Sequence, residues 1–352
     1  MLAALVFFAM FVVGGFTVGL VMMFAIWEII YSMGKVWGYD KDSNNDYMKF
    51  LIAGIPFAVL ACGSVFPFSA YSISYIGMIE AYTGITVSGA QYTILQLPIM
   101  LLVLFAYVIV ARFVFKIDTT RIKETNIEFD IPKLTTYQKV VLGALIFIIV
   151  ACFWISVMPA TWGITIFLNK LGVFGIIFLV DAILAMLAFK DGIPFGQAMA
   201  KGLSFDLYFG LGAVMAMSTA IAADECGIAV WLENIMTPLA TSMGAIPFLV
   251  FILLIAAIAT QFASNTVVIV LFATLVFSMS DKLGLNSLAF FMMLTNVGNT
   301  AVVTPAANPV AAIGYANEWL TPKDALKYGL VECIVTFVVV LVFGYAYGCI
   351  IF

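Results

Sequence analysis

Long apolar segments, separated by short polar loops, run along almost the whole sequence. One of them, residues 93–115, is unbroken and has the roughly 20 residues that a helix needs to cross a bilayer. The same pattern predicts further apolar segments at residues 2–33, 48–79, 140–157, 172–189, 204–222, 246–279, 287–317 and 329–352. The sequence therefore predicts an all-α polytopic membrane protein.

Small polar residues, glycines or prolines interrupt four of these segments. The interruptions fall at residues 14–19, 61–69, 264–266 and 296–308. An unpaired amide or hydroxyl is costly in hydrocarbon, so such breaks persist where they are buried in protein or line a cavity. We therefore expect re-entrant hairpins and broken transmembrane helices, with a binding site at membrane depth.

The order of these features occurs twice: a broken segment, a polar loop, a break centred on a proline (Pro67, Pro305), a short loop and an unbroken helix. Aligning residue 16 with residue 262 also pairs several identical residues. We predict a first repeat at 1–115, with a truncated hairpin arm, a broken helix and a transmembrane helix. The second repeat, 140–352, would hold scaffold helices, a hairpin at 246–279, a broken helix at 287–317 and a last helix at 329–352.

Charge sets the expected orientation. The stretch 112–139 carries six of the chain's 15 basic residues and is predicted to be cytoplasmic, with 116–139 as a linker between the repeats. Counting crossings from there places the hairpin 246–279 on the outer side and the C-terminus outside the cell membrane. The two repeats then have inverted topology, the arrangement of secondary transporters with a midplane site.

Composition narrows the function further. With 64% hydrophobic and 10% charged residues the chain is not a soluble domain, and it has no basic run of the kind that binds nucleic acid. The sequence contains no histidine, and no polar cluster holds a convincing catalytic carboxylate or a nucleophile with its base. We therefore expect a protein that is not an enzyme.

The breaks of the second repeat carry more amide and hydroxyl side chains than those of the first repeat. Ser264, Asn265 and Thr266 lie at the expected hairpin turn, one helical turn after Thr260. Their neutral oxygens suit a cation such as Na⁺, and helix N-termini there suit an anion. The alternative is hydrogen bonding between helices.

The second break contains Thr304, Pro305 and Asn308. Proline removes a backbone donor and so frees an upstream carbonyl oxygen, which can serve as a cation ligand. Its alternative is a kink that neighbouring helices satisfy.

The first repeat offers fewer such groups. Ser64, Pro67 and Ser69 form its break and are substrate-binding candidates, although packing alone explains them equally well. Three acidic residues in apolar settings, Glu28, Asp181 and Glu332, are proton-relay candidates by default. Snorkelling near the end of a span is the other interpretation for Glu28 and Glu332.

The segments ATQFASNTVV and NTAVVTPAANP, with residues 202–227, resemble the second half of the divalent anion/sodium symporter family, whose members transport dicarboxylates, citrate or sulfate. The resemblance implies that Thr260, Ala263, Asn265 and the Val303 carbonyl hold Na⁺. It implies that Asn265, Thr266, Thr304 and Pro305 face the substrate anion, and that the protein is a homodimer.

Two departures from the family pattern stand in the first half. Val18-Gly19-Leu20 replaces the first Ser-Asn-Thr, and Phe66-Pro67 replaces the first Thr-Pro turn, so one sodium site is expected and a second is doubtful. The family's early helices and the first arm of its first hairpin are expected to be missing, as in a chain that starts inside a longer protein.

These inferences favour sodium-coupled symport of a small divalent anion by alternating access. Two alternatives remain open: a proton-coupled transporter or antiporter, and a truncated homologue that does not transport.

Overall fold

The computed structural model describes residues 2–15, 19–42, 45–67, 69–119, 135–158, 161–190, 213, 216 and 224–352. Within these ranges the chain is helical and contains no β-strand. The protein is an all-α polytopic membrane protein. Most of the predicted segment 204–222 and most of the linker 116–139 lie outside the described residues.

The helices of the first part of the chain are α1 (Leu2–Gly15), α2 (Gly19–Val36), α3 (Asp46–Gly63), α4 (Ala70–Thr83), α5 (Gly89–Phe113), α6 (Thr136–Val157) and α7 (Gly163–Lys190). Those of the second part are α8 (Ile228–Met243), α9 (Ala245–Ala259), α10 (Asn265–Leu283), α11 (Ser287–Asn299), α12 (Pro309–Tyr315), α13 (Pro322–Val339) and α14 (Tyr345–Ile351). A π-helical turn, Val340–Gly344, joins α13 to α14 in one long helix.

Four continuous helical stretches among the described residues are long and apolar enough to cross a membrane. They are Asp46–Gly63, Gly89–Phe113, Asn265–Leu283 and Pro322–Ile351. A bent pair, Gly163–Gly172 and Gly175–Met186, turns by 82° and adds a fifth if it counts as one span.

Two predicted boundaries differ from the structure. Helix α6 begins at Thr136, inside the predicted linker, because Thr135 and Gln138 form a capping box that starts the helix there. Helix α7 begins at Gly163, nine residues before the predicted span 172–189. It is bent at Gly172, whose φ of 67° lies in the left-handed region that glycine tolerates.

The chain divides into two compact units. The first contains Met1–Val87, Gln91–Ile127 and Val214–Phe352, and the second contains Ser88–Ala90 and Glu128–Ala213. Residues 140–213, which the sequence assigned to the second repeat, therefore belong to the second unit. In that unit α6 packs against α7.

The first unit shows the repeated order of elements. A helix pair, a broken helix and a long helix appear as α1/α2, α3/α4 and α5, and again as α9/α10, α11/α12 and α13. Helix α1 has 14 residues and its counterpart α9 has 15. The apolar residues of α1 pack against α2 and α3. The truncation of the first hairpin arm stays a prediction.

The repeats interlock within this unit. Helix α3 packs against its own hairpin and also against α12 and α13 of the second repeat. Helix α11 packs against α9 and α10, and α10 in turn contacts α4 of the first repeat. Buried aromatic rings fill both regions, with Phe7, Phe50 and Tyr107 in one and Phe277 and Phe291 in the other. This packing places the second break between helices of both repeats.

Candidate functional site

The turn between α9 and α10 forms the tip of the second hairpin. The Thr260 N–H donates to the Ala256 carbonyl at 3.0 Å and closes α9. The Ala263 N–H donates to the Ala259 carbonyl, also at 3.0 Å. Ser264 then takes a non-helical conformation, with ψ of 130°, and α10 starts at Asn265. The sequence SNT thus places its three side chains at the start of a new helix.

Oxygen atoms converge where this tip meets the last turn of α11. The Thr260 hydroxyl lies 2.8 Å from the Gly298 carbonyl oxygen and 3.2 Å from the Asn265 side-chain oxygen. One hydroxyl hydrogen cannot fully satisfy both acceptors, so this cluster has more oxygen acceptors than donors. The Asn265 amide donates to the Asn299 carbonyl at 3.3 Å, which orients its oxygen. Both Thr260 and Asn265 are buried.

Gln261 joins the hairpin tip to the second break. Its side-chain oxygen accepts the Val303 N–H at 3.0 Å, and its backbone carbonyl accepts the Thr304 hydroxyl. The Tyr315 hydroxyl donates to the Val303 carbonyl. Thr304 was predicted to face the substrate; the structure places its hydroxyl on Gln261. The predicted sodium ligand Val303 uses one lone pair of its carbonyl for Tyr315.

A cavity of about 400 Å³ opens beside the tip. Its lining consists of Tyr71, Ser264, Asn265, Thr266, Pro305, Ala306, Ala307, Asn308, Pro309 and Ala312. These residues carry no formal charge. The Ser264 side chain caps no backbone group, so the N–H groups of the first turn of α10 remain available beside the cavity. A helix N-terminus of this kind favours an anion.

Asn308 fixes the far wall of the cavity. Its side-chain oxygen accepts the Ala311 N–H at 2.9 Å and caps α12, and its amide donates to the Ala301 carbonyl at 2.6 Å. The two bonds hold the non-helical segment between α11 and α12 in a closed loop. Pro305 and Asn308 are thereby kept opposite the hairpin tip.

The predicted site residues of the first half bond locally. The Ser64 hydroxyl donates to the Ala61 carbonyl at 2.9 Å, and the Ser69 hydroxyl donates to the Gly63 carbonyl. Ser69 also caps α4, and Pro67 lies in the turn that precedes it. Phe66 is buried against Gly15, where its ring leaves no room for a Cβ atom. The first-half residue that lines the described cavity is Tyr71.

Sequence reasoning missed Gln261 and three tyrosines, Tyr71, Tyr75 and Tyr315. The Tyr75 hydroxyl donates to the Asn299 side-chain oxygen at 2.6 Å and so reaches from α4 into the second repeat. Tyr71 and Tyr75 are four residues apart, which places them on one face of a helix, but sequence alone does not tell which helix they meet. Gln261 was detectable as a lone amide in an apolar run.

Two buried asparagines of α11 keep polar atoms without a partner among the described residues. Neither side-chain atom of Asn296 has a hydrogen bond, and the Asn299 amide nitrogen has none. Both residues are at most 1% exposed. A buried amide without a partner costs about 1–3 kcal/mol, so these groups favour water or a bound ligand nearby.

Comparison with known proteins finds a family match that covers these motifs. Residues 22–352 match the family described as "Sodium:sulfate symporter transmembrane region". The chain is similar to human solute carrier family 13 member 4, with 31% identity over 124 residues, 35% of this chain and 20% of that protein. It is also similar to human Na(+)/dicarboxylate cotransporter 3, with 31% identity over 121 residues, 34% of this chain and 19% of that protein. The matched part spans about a fifth of the length of these relatives.

Proposed function

Because the chain belongs to the family of the sodium:sulfate symporter transmembrane region, we propose that it is a secondary active transporter that couples Na⁺ to the symport of a small divalent anion. The proposal rests on one structural observation above all. A cluster of neutral oxygens at the tip of the second hairpin adjoins a cavity that has no charged lining and has a helix N-terminus beside it.

In this proposal Na⁺ binds first, between the Thr260 hydroxyl, the Asn265 side-chain oxygen and the Gly298 carbonyl. These oxygens lie on two elements, the hairpin tip and the end of α11. An ion that contacts both stabilises the arrangement in which they touch. Anion binding is then favoured in the sodium-loaded state, which is the thermodynamic condition for coupling.

The anion would occupy the cavity lined by Ser264, Thr266, Pro305 and Asn308. Backbone N–H groups, hydroxyls and an amide bind carboxylate or sulfate oxygens without a fixed positive charge. One similar human protein is named as a Na(+)/dicarboxylate cotransporter and the family as sodium:sulfate symporters. We accordingly propose a dicarboxylate, citrate or sulfate as the substrate.

The remaining features of the proposal come from the sequence. The transporter would work by alternating access in the cell membrane, as a homodimer, with residues 112–139 in the cytoplasm and the C-terminus outside. It would have no enzymatic activity. The inverted repeats that the sequence predicts would supply the two conformations that alternating access needs.

Uptake into liposomes tests the function. We expect the reconstituted protein to accumulate radioactive sulfate or succinate under an inward Na⁺ gradient, and Asn265→Ala to abolish this uptake. Asn286→Ala is the matched control, because it removes an amide that caps α11 outside the cavity. Uptake that ignores Na⁺, or that persists in Asn265→Ala, would contradict the proposal.

Thermal unfolding supplies a second readout that needs no transport. A ligand that binds the folded state raises the unfolding midpoint by mass action. We expect Na⁺, but not choline, to raise the midpoint, and the cognate anion to raise it further only when Na⁺ is present. A rise with anion alone would argue against the proposed order of binding.

A further inference from the structure

A second buried polar site lies on α13, away from the hairpin tip. The Glu332 side chain is 1% exposed, and its Oε1 atom has no hydrogen-bond partner in the part of the chain that the structure describes. An ionised carboxylate in such surroundings costs several kcal/mol unless a positive charge compensates it. The sequence placed Glu332 among residues that snorkel or carry protons, and its burial excludes snorkelling.

Glu332 lines a small cavity of about 20 Å³, together with Val302, Tyr315 and Gly329. A cavity of this size holds one water-sized particle. The Tyr107 hydroxyl of α5 lies beside the carboxyl and is fully buried. The buried carboxyl therefore has one neighbouring hydroxyl, that of Tyr107, and one small space beside it.

No basic side chain neutralises this carboxyl among the described residues. The salt bridges found there join Lys49 to Asp324 and Lys41 to Glu318. The ionisable groups near Glu332 are Tyr107 on α5, Tyr315 on α12, and Tyr328 and Cys333 on α13. Helix α3 contributes only Ala53 and Pro56 to the cavity. Within the described ranges no side chain supplies the compensating charge, and a cation bound beside the carboxyl would supply it.

We propose that Glu332 is the site of a single monovalent cation, a proton or a sodium ion, distinct from the oxygen cluster at Thr260 and Asn265. A proton would be bound covalently to the carboxyl and would leave to a water molecule in the cavity. A sodium ion would sit in the cavity against the carboxylate and the Tyr315 hydroxyl. The inference does not depend on which anion is transported.

The site is linked to the second break by direct packing. A Cβ atom at Gly329, one turn before Glu332, would lie 2.7 Å from the Val302 carbonyl oxygen, so α13 and the break are in close contact. The neighbouring Cys333 sulfur accepts a hydrogen bond from the Gln261 side chain at 3.6 Å. Movement of the break would therefore change the surroundings of the bound cation, which links this site to the conformational state of the protein.

Infrared difference spectroscopy of the purified protein identifies a proton at the site. We expect a carbonyl stretching band of a protonated carboxyl group that shifts in heavy water, is lost in Glu332→Gln and is retained in Glu318→Gln, a control at an exposed carboxylate. Tyr107→Phe should shift the band, because the hydroxyl lies beside the carboxyl. This second variant gives the answer if Glu332→Gln does not fold.

Equilibrium binding of radioactive sodium identifies the other occupant. If no protonated band is present, wild-type protein should bind one more sodium ion than Glu332→Gln, with Glu332→Asp in place of Glu332→Gln if the latter does not fold. Asn265→Ala should lose a different ion and keep the one at Glu332. The absence of the band, together with equal sodium binding by wild type and the Glu332 variant, would overturn the proposal.

Discussion

The side-chain oxygen of Gln261 accepts the backbone N–H of Val303 at 3.0 Å, so a single buried amide joins the tip of the second hairpin to the second break. Thr304, the next residue, donates its hydroxyl to the Gln261 carbonyl. Pro305 and Asn308, which follow, line the cavity. In the proposed mechanism an ion that orders the hairpin tip therefore also shapes the anion site.

Replacing Gln261 with Leu removes the partner of the buried Val303 N–H. We expect a loss of about 1–3 kcal/mol in stability, the cost of one unsatisfied buried donor. The Na⁺-dependent rise in the unfolding midpoint should also shrink, because the break is no longer held against the tip. Phe262→Ala is the control, since this neighbouring side chain is 71% exposed and should alter neither quantity. An unchanged sodium response in Gln261→Leu would refute the linking role.

Tyr75→Phe tests the contact that the first repeat makes with the site. The change removes the hydroxyl that donates to Asn299 at 2.6 Å and leaves that buried amide without a side-chain partner. The Asn299 carbonyl accepts from Asn265, so we expect weaker Na⁺ binding as well as lower stability. Sodium titrations followed by thermal unfolding measure both.

Tyr82→Phe is the matched control for Tyr75→Phe. Its hydroxyl lies 2.8 Å from the Thr274 hydroxyl, on the same helix α4 but in a different contact. It should lower stability and leave the sodium midpoint unchanged. If both variants shift the sodium midpoint equally, Tyr75 has no specific role at the site.

The alternation of apolar segments and polar breaks was sufficient to predict most of the helices. A glycine pair, a Ser-Asn-Thr triplet or a Thr-Pro turn cannot continue a helix in hydrocarbon without partners, so the breaks were visible in the sequence. At the predicted break 264–266, the structure has a non-helical Ser264, and a new helix, α10, starts at Asn265. The bend of α7 at Gly172 was not predicted, because a glycine in an apolar run shows no preference for the left-handed conformation until packing selects it.

The partners within the site were less predictable. Thr260 and Asn265 are 5 residues apart, so their proximity was predictable from the sequence. The bonds from Gln261 to Val303 and from Tyr75 to Asn299 span 42 and 224 residues. Such pairings depend on how the two repeats interlock, and no local pattern encodes that arrangement.

Gly329→Ala tests the contact between α13 and the second break. The added methyl group would lie 2.7 Å from the Val302 carbonyl oxygen, a backbone atom that cannot rotate away. Overpacking of this kind costs about 1–3 kcal/mol. We expect a lower unfolding midpoint and slower sodium-dependent uptake, because the break must shift. In Gly143→Ala, a control in α6 with open space around the site, we expect unchanged or slightly higher stability.

Asn308→Asp tests whether the cavity binds an anion. The aspartate oxygen can still cap α12 at Ala311, but the change introduces a negative charge into a lining that has none. Two like charges about 5 Å apart repel by about 3 kcal/mol at an effective dielectric constant of about 20. We expect the apparent affinity for the anion to fall at least about tenfold, the equivalent of about 1.4 kcal/mol.

Asn286→Asp makes the same chemical change at the cap of α11, where Asn286 accepts the Ala289 N–H at 3.0 Å outside the cavity. That control should leave anion uptake unchanged, and Asn308→Ser should have a smaller effect than Asn308→Asp because it adds no charge. Equal anion affinity in wild type and Asn308→Asp would show that the substrate binds elsewhere.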